Sequence, residues 1–167
     1  MVEVELAAVR VDVQSNTPVV LLQESGGHRR TLPIFIGAAE ATAIAYALQG
    51  VSTPRPMTHD LMRDLLGAIG AELDRVVITE LVATTYHAEL QLSHGGQRAT
   101  VSSRPSDAIA LAARTGSPLF VADDLLDAEG VVLQGDSDDD DPASAEDLVG
   151  EFQRFLDTVR PEDFGPQ

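Results

Sequence analysis

The sequence predicts an α+β domain, an antiparallel or mixed β-sheet with packed helices, followed by an acidic linker and a C-terminal helix. Three observations carry this prediction. Short runs of alternating apolar and polar residues are separated by turn chemistry, other stretches repeat apolar residues at helical spacing, and the acids crowd toward the far end of the chain. Residues 2–13 read as one long strand whose alternation changes phase: Val2, Val4 and Leu6 share a face, whereas Val9, Val11 and Val13 fall on the other. A bulge near Ala7-Ala8 would reconcile the two halves. Ser15-Asn16-Thr17-Pro18 is a turn, Val19–Leu22 a buried strand, Ser25-Gly26-Gly27 a second turn and Arg30–Ile36 a third strand, which together make a meander. In Ala38–Leu48 the residues Ala41, Ile44, Ala45 and Leu48 recur at helical spacing until Gly50 stops the run.

After a Ser52–Pro56 linker, Leu61, Leu65, Leu66 and Ile69 mark a second amphipathic helix ending near Gly70. Strands follow at about 75–82, 85–93 and 97–102; in the second, Tyr86, Ala88, Leu90 and Leu92 face inward and His87, Glu89 and Gln91 outward. A helix over roughly 106–115 stops at Gly116 and leads into a short Pro118–Val121 strand. Beyond Asp123 the pattern weakens. The resulting division is an α+β domain over 1–133, an acidic linker expected to be disordered over 134–144, an amphipathic helix over 145–160 and a tail over 161–167. Leu148, Phe152, Phe155, Leu156 and Val159 form one apolar stripe in that last helix, which needs a surface to dock on.

Composition closes several functions. The 167 residues contain no cysteine, which excludes disulfides, Cys-ligated zinc, iron–sulfur clusters and thiol catalysis. No apolar run approaches the roughly 20 residues of a membrane span, and the first residues lack the features of a signal peptide, so a cytoplasmic protein is expected. The net charge of −16 argues against a polyanionic partner, but its distribution reverses that inference. Residues 1–122 carry 12 acids and nine Arg, net −3, whereas residues 123–167 carry 15 acids and two Arg, net −13. All 11 cations are Arg, the side chain better suited to a bidentate grip on carboxylate or phosphate.

One motif is written twice. Arg55-Pro56-Met57-Thr58-His59-Asp60-Leu61 is echoed by Arg104-Pro105-Ser106-Asp107-Ala108-Ile109, each time at the mouth of an apolar run. Pro favours the first helical turn, Thr58 and Ser106 are suited to cap, and Asp60 and Asp107 complement a helix dipole. Capping does not account for Arg55, Arg104 or His59. Each Arg precedes a helix start, where free backbone N–H groups favour anions; the alternative is an Arg that braces the fold through the neighbouring Asp. His59 titrates near neutrality and suits a general base or acid, although a lone His at a helix start is more often a packing residue.

Three blocks, "LPIFIGAAEATAIAYALQG" (Leu32–Gly50), "RPMTHDLMRDLL" (Arg55–Leu66) and "RPSDAIALAARTGSPLFV" (Arg104–Val121), resemble the bifunctional nuclease domain family over residues 1 to about 133. The tail "EFQRFLDTVRPEDFG" (Glu151–Gly165) resembles the C-terminal segment of actinobacterial members. The resemblance implies a compact α+β domain, commonly a homodimer, with DNA and RNA as substrates. It supplies no secure catalytic set.

Hydrolysis of a phosphodiester needs an activated water and charge stabilisation at the phosphate. The candidates for base or metal ligand are Glu40, His59, Asp60 and Asp107, with Arg55, Arg104 and Arg114 on the phosphate. The cofactor is left open, Mg²⁺ being the candidate. Against an enzyme stand the absence of a dense acidic metal motif inside the body, of paired-His ligand spacing and of a basic stripe interleaved with aromatics. The competing reading is a non-catalytic homo-oligomeric assembly or regulatory module with an acidic tail. An enzyme should gather Arg55, Arg104, His59 and an acid around one cleft, whereas a scaffold should bury the Arg groups in pairs with Asp60 and Asp107.

Overall fold

The alternating runs at the start of the chain pair as an antiparallel meander of β1 (Val2–Asp12), β2 (Thr17–Glu24) and β3 (Arg30–Phe35) in a computed structural model that describes residues 1–132. The phase change in β1 is a bulge: the pairing register with β2 shifts between Leu6 and Ala8, so that Val4 and Val9 both reach the core. Two helices follow, α1 (Ala38–Leu48) and α2 (Thr58–Ile69), and then a second meander of β4 (Ala71–Val82), β5 (Thr85–His94) and β6 (Gln97–Ser103). The chain continues through α3 (Pro105–Thr115), β7 (Leu119–Val121), α4 (Asp123–Glu129) and β8 (Val131–Val132).

All eight strands belong to one sheet, in the order β6-β5-β4-β7-β1-β2-β3-β8. The three-residue β7 joins the two meanders. It pairs antiparallel with Val2–Val4 of β1 and parallel with Val76–Ile78 of β4, the one parallel pairing among the described residues. A parallel pair needs a crossover, and α3 supplies it after β6.

That requirement places α3 at the centre of the molecule. Pro105, Ser106 and Ala108 through Ala112 are buried, and α1 and α2 both pack against this helix. Small side chains make the close approach feasible: Ala41, Ala108 and Ala110 are fully inaccessible beside Ile44, Ile109 and Leu111. Each large aliphatic group so buried contributes about 1.5–3 kcal/mol relative to exposure. Gly116 ends α3 at φ 73°, a left-handed conformation that suits glycine.

The structure departs from the sequence reading in three places. β4 begins at Ala71, earlier than its apolar core suggests, because Ala71 to Leu73 still pair with His94 to Leu92. Beyond Asp123, where the pattern looked weak, α4 buries Leu125 and Leu126 and leads into β8 against β3. The inward face of α2 is also different: His59 is buried and Met62 and Leu66 pack on the core, whereas Leu61, Leu65 and Ile69 are each more than half exposed. A stripe of Leu and Ile signals amphipathicity without saying which side is covered. The expected linker, C-terminal helix and tail lie outside the described residues.

Candidate functional site

The three long helices begin at one place. Each carries an acid at its third helical position, Glu40 in α1, Asp60 in α2 and Asp107 in α3, where a carboxylate complements the positive end of the helix dipole. The expected hydroxyl caps are displaced. Met57 and Arg104 occupy the cap positions, so Thr58 lies in the first turn of α2 and Ser106 in that of α3, and neither cap residue makes a side-chain capping bond. In α2 the Asp60 carboxylate does the capping instead, accepting the Met57 backbone N–H at 3.0 Å.

Four side chains from these helix starts form one chain of charge-assisted hydrogen bonds. Arg104 donates from Nε to Asp107 Oδ2 at 2.7 Å, from Nη2 to Asp107 Oδ1 at 3.0 Å and from Nη1 to Glu40 Oε1 at 2.8 Å. His59 Nε2 lies 3.1 Å from the same Asp107 Oδ1. Burial is the largest single influence on Asp107 and pushes its carboxyl up, but the Arg104 and His59 hydrogen bonds with their charges outweigh it and hold the group below the ordinary carboxylate value. Ionised, Asp107 can only accept. In a neutral His59 the proton therefore sits on Nε2 and Nδ1 keeps its lone pair.

The Arg104 guanidinium is raised above its ordinary value, first by Asp107 and then by Glu40, and so stays charged. Its side chain is nevertheless 65% exposed, and three of its five N–H groups are engaged, which leaves two for a ligand. Gly37 helps to hold the acid at the other end. A Cβ there would crowd Glu40 Oε2, so the absence of a side chain at position 37 leaves room for the glutamate to fold back over the start of α1.

Asp60 and Arg114 form a separate unit. Arg114 Nε donates to Asp60 Oδ1 at 2.6 Å and Nη1 to the Ala110 carbonyl at 2.9 Å, and the Arg114 side chain is only 5% exposed. The Arg114 hydrogen bond, the leading influence, holds the Asp60 carboxyl below its ordinary value. Arg55 stands apart from both units: it is exposed and makes no ion pair among the described residues. Of the seven residues singled out from the sequence, Glu40, His59, Arg104 and Asp107 thus come together, Asp60 and Arg114 pair beside them, and Arg55 does not join.

A cleft of about 340 Å³ opens at the Glu40–Arg104 end of the chain. Its walls include Phe35 at the end of β3, Thr84 and Tyr86 at the β4–β5 turn, and Ser106 at the start of α3. None of the four was a site candidate in the sequence, where Ser106 reads as a cap and Tyr86 as an inward strand residue. The one available signal was Phe35 itself, a large aromatic in opposite phase to the core residues Leu32 and Ile34. The donor set does not fit Mg²⁺, which demands near-octahedral oxygen ligands. Glu40 and Asp107 meet through a guanidinium that stands where a cation would, and Asp60 is committed to Arg114. No three His, Cys, Asp or Glu side chains placed to hold an ion come together among the described residues.

Comparison with known proteins assigns the family. The model of the bifunctional nuclease domain matches residues 20–134, more than half of the chain. The chain belongs to this family. An uncharacterized protein of Mycobacterium tuberculosis is 44% identical over 165 residues, covering 98% of each chain. Bifunctional nuclease 2 of Arabidopsis thaliana is 31% identical over 81% of this chain, which spans 43% of the plant protein. Bifunctional nuclease 1 of Oryza sativa subsp. japonica is 29% identical over 65% of this chain and 37% of its own length. The family match begins in β2 and runs through all three helix starts, so the whole hydrogen-bonded chain lies inside it. Among the described residues no helix is long and apolar enough to cross a membrane.

Proposed function

We propose that the protein is a nuclease that hydrolyses phosphodiester bonds of DNA and RNA at the helix starts of α1, α2 and α3. The observation that carries this reading is the Glu40–Arg104–Asp107–His59 chain, which joins an oriented imidazole to an exposed, permanently charged guanidinium. Asp107 fixes His59 so that Nδ1 takes a proton from water, and the water oxygen attacks phosphorus. The two spare N–H groups of Arg104 receive the charge that grows on the non-bridging oxygens. The leaving oxygen takes its proton from solvent, and His59 returns the one held on Nδ1 to bulk water. Asp60 and Arg114 hold the start of α2 against α3 and thereby keep His59 in reach of Asp107.

The test is degradation of labelled single-stranded RNA and double-stranded DNA by the purified wild type, His59→Asn and Arg104→Met, each with Mg²⁺ and with EDTA. Loss of about a hundredfold or more in folded His59→Asn is expected for a general base. Equal rates in all three proteins would mark the activity as a contaminant and end the proposal.

One observation favours the second reading, a homo-oligomeric assembly module. Leu61, Leu65 and Ile69 are 51%, 55% and 62% exposed along one side of α2, an unpartnered stripe that suits a second copy of the chain. Sedimentation of wild type and Leu65→Asp separates the cases: dissociation of a dimer by the substitution supports assembly through α2, and an unchanged mass dismisses it.

A further inference from the structure

We propose that the cleft beside Arg104 receives a single unpaired nucleobase stacked on Phe35, so that the preferred substrate of this site is single-stranded nucleic acid. The inference rests on the nuclease reading for its setting, since it places the base next to the group that would hold the phosphate. Its own observations are independent of catalysis.

Phe35 is 59% exposed although it ends a strand whose neighbouring Ile34 and Ile36 are buried. It is held on a rigid platform, because β3 is paired on β2 and Phe35 lies opposite Val19 in that register. The other Phe within the described residues, Phe120, is half-buried and covered by the Arg75 guanidinium at 5.7 Å. Among the described residues Phe35 has no such cover. Tyr86, half-buried and packed on the core, forms another wall of the same cleft.

Polar groups suited to a base edge line the space between them. Ser106, 6% exposed, borders the cleft at the start of α3 and brings a hydroxyl to its wall. Thr84 and Thr85 add two more hydroxyl groups at the rim. An aromatic face, a few hydroxyls and a neighbouring Arg are the components of sequence-tolerant single-strand sites, where every base offers a π-face. The volume of about 340 Å³ is room enough for one nucleoside. A duplex would have to extrude a base to reach Phe35, an expense that a single strand avoids.

The full-length protein is titrated at low salt, in EDTA, into 5′-fluorescein-labelled octathymidylate, octauridylate and a duplex of the same length, followed by fluorescence anisotropy. Wild type should bind both single strands more tightly than the duplex. Phe35→Ala and Phe35→Leu should lose about tenfold on the single strands, and Phe35→Trp should restore binding. The leucine variant keeps an apolar side chain, which separates stacking from mere burial, and equal sedimentation of all variants excludes an altered oligomer. The proposal is overturned by equal affinity in Phe35→Leu and wild type, by preference for the duplex, or by a change of oligomeric state in the Phe35 variants. Hydrolysis is read separately. Cleavage that needs His59 but ignores Phe35 would leave the nuclease reading standing and remove this one, whereas Phe35-dependent binding without cleavage would do the reverse.

Discussion

Two acid–arginine units flank α3, one through Arg104 ahead of its first turn and one through Arg114 in its last, and they differ in almost every physical respect. Arg114 and Asp60 lie against α2 and α3 with the guanidinium all but inaccessible, and every donor direction in use points back into the fold. Arg104 bridges Glu40 and Asp107 at the surface, with most of its side chain in solvent beside an open cleft. The comparison teaches that an ion pair's burial, not its composition, decides whether it braces or binds. A buried guanidinium is committed because leaving its partner unpaired is expensive, whereas an exposed one can trade water for a phosphate at little cost.

The sharpest way to break this contrast is Arg114→Met, which keeps the side-chain length and removes the charge. It leaves Asp60 uncompensated in a site where its side chain is 23% exposed, so the loss should fall somewhat below that of a fully buried pair, at about 2–3 kcal/mol by urea denaturation. A loss under about 0.5 kcal/mol would place Arg114 among surface residues. Arg104→Met should cost less, about 1 kcal/mol, because its guanidinium is 65% exposed and water can take its place, although the Glu40 and Asp107 side chains it leaves are only 20% and 26% exposed. The same variant should weaken binding of octauridylate. If it destabilised the protein as much as Arg114→Met, both units would be braces and the candidate site would lose its phosphate ligand.

Acid sharpens the comparison with the smallest effect. Asp60 titrates below its ordinary value in the folded protein, so its contribution to stability is fully present above about pH 4 and is lost as pH falls through the folded value. Arg114→Met removes the main cause of that depression. The stability gap between wild type and Arg114→Met should therefore narrow between pH 5 and pH 3, and a constant gap would mean that Asp60 is not the group Arg114 serves.

Much of the fold was legible from side-chain phase. The bulge in β1, the extent of α1, the glycine stops and the hairpin of β5 follow from which neighbours alternate and which recur, and those are local properties. α4 was missed because seven residues make too short a window for periodicity, although two acids before Leu125-Leu126 marked its start. The candidate site was legible as a set of residue types and not as a set of partners. Arg55 and Arg104 precede proline in the same way, yet α3 begins directly after Arg104 and α2 begins only after Met57, so the two arginines enter their helices at different positions.

The sequence by itself determined the α+β class, three helix starts that each carry an acid, two of them behind an Arg-Pro pair, and a body nearly neutral beside a strongly acidic C-terminal region. Tertiary structure alone decided that Arg104 would reach Glu40 of α1, that Arg114 would reach Asp60 of α2, and that Phe35 and Tyr86 would wall one cleft. The reason is one of range. Helical and strand phase are fixed by neighbours within a turn or a pleat, whereas an arginine's partner is chosen by which helix start the closing of the sheet through β7 brings within hydrogen-bond distance.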